Sequence, residues 1–406
     1  MNLLTVSNLF PRPDQPARGL FNRQLFDELA RLCPSRNVCL VPEWRVWRWP
    51  RIRGWPEPEA AGVPTRYVPV FYLPVVGRST AHAFYARPLA AAVRREPAAD
   101  VVYAAWLYPD GAAAATVAKA QGKRLWLMAL GSDTLHLNHA ARRSAVLQAC
   151  AEAEGVVCVA RLLADRLRAA GVSPDKLHVI PNGVDPERFR FVPRDDAARQ
   201  LAERLPSPAV SLETSSRPPI VLFVGNMVSV KGPDILLDAW QTLRSRFAPT
   251  PRRSDTPTPP HPDTPTLILI GDGPLRPRLE RQAREGGLAD AVRFLGVRPH
   301  EEIPLWMNAA DCLCLTSRSE GMPNAVNEAL ACGLPVVAAD VGACGEMLGG
   351  KAVSRVVPPG NAQAFADAVE AVLRSEVDRA ALARQYGGYS WHDQAERIWH
   401  LMERGR

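Results

Sequence analysis

The sequence predicts an α/β fold built as two doubly wound, Rossmann-like halves. Three observations carry that prediction. Short β-branched runs alternate with helical patterns along nearly the whole chain, glycine turns follow several of the runs, and the rhythm breaks between Phe189 and Pro219 before restarting at Ile220. Alternation of this kind marks parallel βαβ units. A length of 406 residues suits two domains of similar size.

In the first half, Leu3 to Ser7 is a predicted strand, and Phe21, Leu25, Leu29 and Leu32 form the apolar stripe of a helix. Predicted strands follow at Asn37 to Pro42, Asp100 to Ala104, Arg124 to Ala129, Gly155 to Val159 and Leu177 to Ile180. The second half repeats the pattern. Strand Ile220 to Gly225 precedes helix Pro233 to Arg244, and strand Leu267 to Gly271 precedes helix Leu275 to Glu285. Strands Val292 to Leu295, Cys312 to Leu315 and Val336 to Ala338 come next, with a terminal helix from Trp391. The expected division is a domain over 1–190, a linker over 191–219, a domain over 220–390, and a helix over 391–406 packing back on the first domain. A stretch over 247–265 carries seven prolines from Pro249 to Pro265 and is expected as an exposed insertion. Two such domains place the ligand in a cleft between them.

Composition narrows the function classes. Hydrophobic residues are 47% and charged residues 22%, ordinary for a globular protein, whereas proline is abundant at 38. The net charge of +7 favours anionic partners but falls short of the dense basic face of a nucleic-acid binder. No apolar run is long enough to span a bilayer, and MNLLTVSNLF stops at Pro11 without a basic leader, so a cytoplasmic protein is expected. The eight cysteines show no CxxC pair or zinc spacing and are expected as buried free thiols, with no metal bound.

The strongest chemical signal is Glu320-Gly-Met-Pro-Asn-Ala-Val-Asn-Glu328, directly after an apolar strand. Pro323 fits the first helical position, Asn324 opens the first turn, and Glu328 lies about one and a half turns in. A helix N-terminus at the carboxyl end of a parallel strand is an anion site flanked here by two glutamates. Phe223-Val-Gly225-Asn226 leads to Lys231-Gly232-Pro233, again strand, glycine turn and helix start. There an ammonium can meet a phosphate, although the spacing is not that of a Walker loop. Gly271-Asp-Gly273 and Phe294-Leu295-Gly296 are glycine turns at strand ends, individually better explained by tight turns than by ligand contact.

Together these segments resemble the retaining glycosyltransferases of family 4, which have the GT-B fold. The resemblance runs from Gly19 through Pro109-Asp110-Gly111, Gly131-Ser132-Asp133, Pro181-Asn-Gly-Val-Asp185 and Lys231-Gly232 to the glutamate pair and Asp340 to Glu346. It implies transfer of a sugar from a nucleotide-diphosphate sugar to a hydroxyl of a glycan or lipid-linked acceptor in cell-surface polysaccharide synthesis. Glu328 would hold the ribose, Glu320 with the backbone of Gly321, Met322, Pro323 and Asn324 the donor sugar, and Lys231 the diphosphate. Gly225, Gly271 and Gly296 would line the donor, and Asp133 joins Glu320 and Lys231 as a catalytic candidate. No protein nucleophile and no metal cofactor are implied.

Three positions depart from the family pattern. Asn226 stands where an arginine is common, with Arg318 as its substitute; Leu130 replaces a histidine; and the first glycine loop is reduced to Arg18-Gly19, where Arg18 could reach a phosphate. Trp44, Trp47, Trp49 and Trp55 interleave with Arg45, Arg48, Arg51 and Arg53, a mixture suited to anionic headgroups at a membrane interface or equally to a loop packing on its own domain, and a peripheral place at the inner face of the membrane is expected. A sugar-nucleotide epimerase of the same fold, or a silent sugar-nucleotide-binding protein, is the alternative.

Overall fold

The computed structural model describes residues 1–56, 62–72, 79–204, 218–247, 265–350, 353–386 and 388–404. The expected proline-rich insertion, from 248 to 264, and residues 205–217 of the expected linker lie outside the described residues. The chain divides into two compact units, Met1–Gly183 with Ser390–Arg406, and Val184–Tyr389.

The first unit holds β1 (Leu3–Ser7), β2 (Ser35–Pro42), β3 (Thr65–Val70), β4 (Val101–Ala105), β5 (Arg124–Ala129), β6 (Gly155–Cys158) and β7 (Leu177–Val179). They form one sheet in the order β3-β2-β1-β4-β5-β6-β7, with every described pairing parallel. The central strands are apolar throughout because helices cover both faces: all five residues of β1 and of β4 are buried, and Val6 sits level with Val38 and Ala104. The helix Leu20–Leu32 buries Leu25, Phe26 and Leu29, and the helix Trp391–Arg404 lies against it, burying Trp391, Ala395, Ile398 and Met402. β3 was not foreseen, because Pro69 interrupts its apolar pattern. As an edge strand it needs no amide donor on its open side.

The second unit holds β8 (Ile220–Val224), β9 (Thr266–Ile270), β10 (Val292–Gly296), β11 (Cys312–Leu315), β12 (Val336–Ala339) and β13 (Arg355–Val357). These strands run parallel in the order β10-β9-β8-β11-β12-β13. Phe223, Leu269, Trp240, Cys314 and Phe365 are among its buried core residues. The first unit stops at Gly183, short of the expected 190, and the early part of the expected linker belongs to the second unit. Its helix Arg194–Arg204 buries Ala197, Ala198 and Leu201 and packs on the helix Ile303–Ala309. Asn308 ties the two together, accepting from the Val192 N–H at 2.9 Å and donating to the Arg190 carbonyl at 3.0 Å.

Both sheets reverse their winding beside their first strand, between β1 and β4 and between β8 and β11. At such a reversal the loops after the two strands diverge and leave a crevice at the carboxyl ends.

Candidate active site

In the second unit the loops after β8 and β11 are laced together. The Thr316 hydroxyl donates to the Lys231 carbonyl at 3.3 Å, and the Arg318 N–H donates to the Val230 carbonyl at 2.8 Å. Gly232 has φ 61°, and a Cβ there would lie 2.2 Å from the Thr316 carbonyl oxygen, so the approach requires glycine. This contact turns the chain into the helix Pro233–Phe247 and leaves Lys231 facing the second loop. Its Nζ lies 2.7 Å from Glu320 Oε1, and the same oxygen accepts the Ser317 hydroxyl at 2.6 Å. The turn at 340–346 closes on the other side, where the Ala343 N–H donates to the Gly321 carbonyl at 2.7 Å. Burial, with the Glu320 carboxylate nearby, pushes the Cys344 thiol up to about 12, which keeps it a thiol.

The helix that follows is Asn324–Ala331, with Pro323 at its N-cap rather than at its first helical position. Pro323 has ψ 109°, an extended value, so the helix starts one residue later than the proline suggests. The far end of this helix is fixed by Arg379. Its guanidinium donates to the carbonyls of Cys332 at 3.3 Å and Gly333 at 3.0 Å, and to those of Met307, Asn308 and Ala310 at 2.7 to 3.0 Å. One cation thereby neutralises the carbonyl ends of two helices. Glu328 sits on the helix so anchored, partly buried, and its carboxylate has no hydrogen-bond or ion-pair partner among the described residues. Burial raises its pKa to about 7. A half-desolvated carboxylate of this kind keeps the capacity to accept hydrogen bonds from hydroxyls.

The remaining expected donor residues of this unit have structural partners. Gly225 donates its N–H to the Ile270 carbonyl, and Gly271 to that of Gly296, at 3.0 and 2.8 Å, so these glycines pack loop against loop. Asn226 is exposed beside them. Arg318 is not a free phosphate ligand. It is paired with both oxygens of Asp234 at 2.9 and 2.6 Å and donates to the Ser229 carbonyl. That pairing holds Asp234 below its usual pKa.

The first unit treats its equivalent loops differently. Asn8 donates its backbone N–H and its side-chain amide to the two oxygens of buried Asp110, each at 2.8 Å. Arg18 is turned onto Asn8, donating to its carbonyl at 3.1 Å, and Gly19 lies against the Leu9 carbonyl. Asp133 is fully buried and accepts from the N–H groups of Leu107, Leu130 and Gly131 at 2.6 to 2.9 Å. Burial still pushes its pKa up to about 6. It holds backbone in place, so the expected catalytic role does not fit it. Arg45 and Arg48 both lie on Glu43, at 2.8 and 3.0 Å, so one carboxylate offsets one of the two charges. Trp44 and Trp47 are exposed and meet edge to face at 5.7 Å, while Trp49 donates to the Glu43 carbonyl at 3.1 Å.

The family described as Glycosyltransferase Family 4 matches residues 44–188, and Glycosyl transferases group 1 matches 218–375. The chain belongs to the family-4 type of glycosyltransferases. It is 32% identical over 241 residues to a D-inositol 3-phosphate glycosyltransferase of Jonesia denitrificans, covering 57% of this chain and 52% of that protein. A putative teichuronic acid biosynthesis glycosyltransferase, TuaC of Bacillus subtilis, is 28% identical over 391 residues, 91% of this chain and 88% of that one. The chain spans about half the length of several of the curated inositol-phosphate relatives it matches. Among solved structures, Anabaena HepE in complex with UDP and glucose superposes with a TM-score of 0.72 at 20% identity over 99% of both chains. Sucrose-phosphate synthase of Thermosynechococcus elongatus gives 0.75 at 20% identity, over 100% of this chain and 98% of that one. The fold is therefore GT-B.

Within this family-4 site, sequence reasoning missed Ser317, Asp234 and Arg379. Ser317 stands three residues before Glu320, a spacing at which a hydroxyl can reach a carboxylate, and so carried a local signal. Asp234 and Arg379 act across the fold and carried none. Among the described residues no cluster of His, Cys, Asp and Glu could hold a metal ion, and no helix is long and apolar enough to cross a membrane.

Proposed function

We propose that this chain is a retaining glycosyltransferase that moves a sugar from a nucleotide-diphosphate sugar to a hydroxyl of a glycan or lipid-linked acceptor, in cell-surface polysaccharide synthesis. The observation that carries the reading is the Glu328 carboxylate, without a partner among the described residues, on the helix that follows the Lys231–Glu320 pair. Ribose hydroxyls donate to Glu328. The diphosphate draws Lys231 away from Glu320, and the freed Glu320 accepts from hydroxyls of the donor sugar, with the Gly321 to Asn324 segment alongside. Phosphate oxygens gain negative charge as the sugar leaves, so an ammonium at that point lowers the barrier more than it tightens binding. The acceptor hydroxyl attacks on the face from which the nucleotide departs and gives its proton to a phosphate oxygen, so no protein nucleophile is needed. Lys231 supplies the cationic charge at the diphosphate, Arg318 being already neutralised by Asp234. The likeness to a putative teichuronic acid biosynthesis glycosyltransferase favours a polysaccharide product, and a lipid-linked acceptor would put its synthesis at the inner face of the membrane.

Calorimetric titration with UDP and UDP-sugars tests this. Glu328→Gln should weaken nucleotide binding roughly tenfold to a hundredfold, the worth of one or two charged hydrogen bonds. Unchanged affinity in a folded variant would remove Glu328 from the site.

A further inference from the structure

A cavity lies along the edge strand β3, and its described lining residues all belong to the first unit. It has a volume of about 750 Å³, within the usual range for a small-molecule site. Its floor and lips are apolar: Val68 and Pro69 of β3, Ala91 and Ala92 of the helix Ala81–Val93, and the rings of Trp49, Phe71 and Phe84. Phe71 and Phe84 face each other at 6.4 Å and are 37% and 46% exposed, an unusual position for two large rings that could have packed inward.

Four arginines line the same groove, Arg53, Arg66, Arg87 and Arg95, and among the described residues no acidic side chain does. Arg66 is answered by Glu96 at 3.2 Å. Arg53 stacks over Trp49 at 5.7 Å, a contact that orients its guanidinium without neutralising it. Arg53, Arg87 and Arg95 have no ion-pair partner among the described residues. Three uncompensated guanidiniums over an apolar floor repel one another and ask for an anion joined to hydrocarbon. A free phosphate would satisfy the charges and leave the aromatic lips wet, whereas a lipid satisfies both.

We propose that this groove is a binding site for an anionic lipid, with its phosphate on Arg53, Arg87 and Arg95 and part of its hydrocarbon against Val68, Phe71 and Phe84. Trp49 of the tryptophan-arginine segment forms one lip of the groove, whereas Arg45 and Arg48 of that segment lie against Glu43. The lipid site does not depend on the donor reading, because lipid binding needs no nucleotide.

The test is co-sedimentation of the full chain with vesicles of phosphatidylcholine alone and of phosphatidylcholine containing phosphatidylglycerol, with UDP binding and thermal melting measured on every variant. Wild type should partition onto the anionic vesicles only. The triple variant R53Q/R87Q/R95Q should lose about a hundredfold in partitioning while melting and binding UDP as wild type does. F84S should lose partitioning even at high salt, where surface charge is screened, and R45Q/R48Q should behave as wild type. Wild type that ignores anionic vesicles, or a triple variant that still binds them, overturns the proposal. Displacement by millimolar inorganic phosphate at constant ionic strength, with F84S inert, would make the groove a phosphate site and overturn the lipid assignment. Loss of UDP binding with intact vesicle binding would count against the donor reading alone.

Discussion

The reversal points of the two sheets are built on the same plan and end in opposite states. Between β1 and β4 the polar groups satisfy one another: Asn8 saturates Asp110, Arg18 turns onto Asn8, and Asp133 takes three backbone donors. Between β8 and β11 the ion pair of Lys231 and Glu320 is made of two side chains that a ligand can separate, and Glu328 on the next helix has no partner among the described residues. Burial is common to both places. The difference is whether the chain itself supplies the partners, so a buried carboxylate in this fold says little until its donors are counted.

The comparison breaks first at Asp133. Asp133→Ala orphans three buried N–H groups at about 1–3 kcal/mol each, so the first unit should lose several kcal/mol of stability while UDP affinity stays unchanged. Calorimetric unfolding alongside UDP titration reads both. A stable variant that no longer transfers sugar would return Asp133 to the reaction.

Next comes pH. Glu328 rises from an ordinary value of 4.5 to about 7 in the folded chain, so the native state holds this proton more tightly than the unfolded state does. Its contribution to stability is full below pH 4.5 and is lost as pH climbs to about 7. Nucleotide binding needs the carboxylate and should run the other way, strengthening from pH 6 to 8 around that value. Glu328→Gln should flatten both profiles in melting and titration experiments. A wild-type affinity independent of pH over this window would show that the carboxylate receives its donors elsewhere.

The smallest effect is expected at Arg318. Its pair with Asp234 is partly exposed, so Arg318→Ala should cost about 1 kcal/mol and leave UDP affinity intact. A tenfold loss of affinity would mean that the diphosphate competes Arg318 away from Asp234.

What the sequence revealed follows the range of the interactions. Strand Ile220 to Val224, Lys231, Glu320 and Glu328 were legible because a strand, a glycine turn and a helix start are all written within a dozen residues. The pairing of Arg45 and Arg48 with Glu43 was legible in principle, since Glu43 stands two and five residues before them. Arg379 was not, because its five carbonyl partners lie 46 to 72 residues away and belong to two different helices. Arg194–Arg204 looked like linker because its charges outnumber the three small or apolar residues it buries. The groove beside β3 was hidden for a related reason: its arginines come from three separate segments, and only the fold collects them.

The return of residues 390–404 to the first unit sets an order of completion during synthesis. The second unit is continuous from Val184 to Tyr389, so every strand it needs has been made before the last helix emerges. The first unit begins earlier and finishes later. Its helix Leu20–Leu32 is translated near the start, yet the Trp391, Ala395, Ile398 and Met402 side chains that pack on its unit arrive only after the other unit is complete. The domain that starts the chain is thus the last to be closed, and the stretch of translation between them is a period when its apolar flank stands open to chaperones.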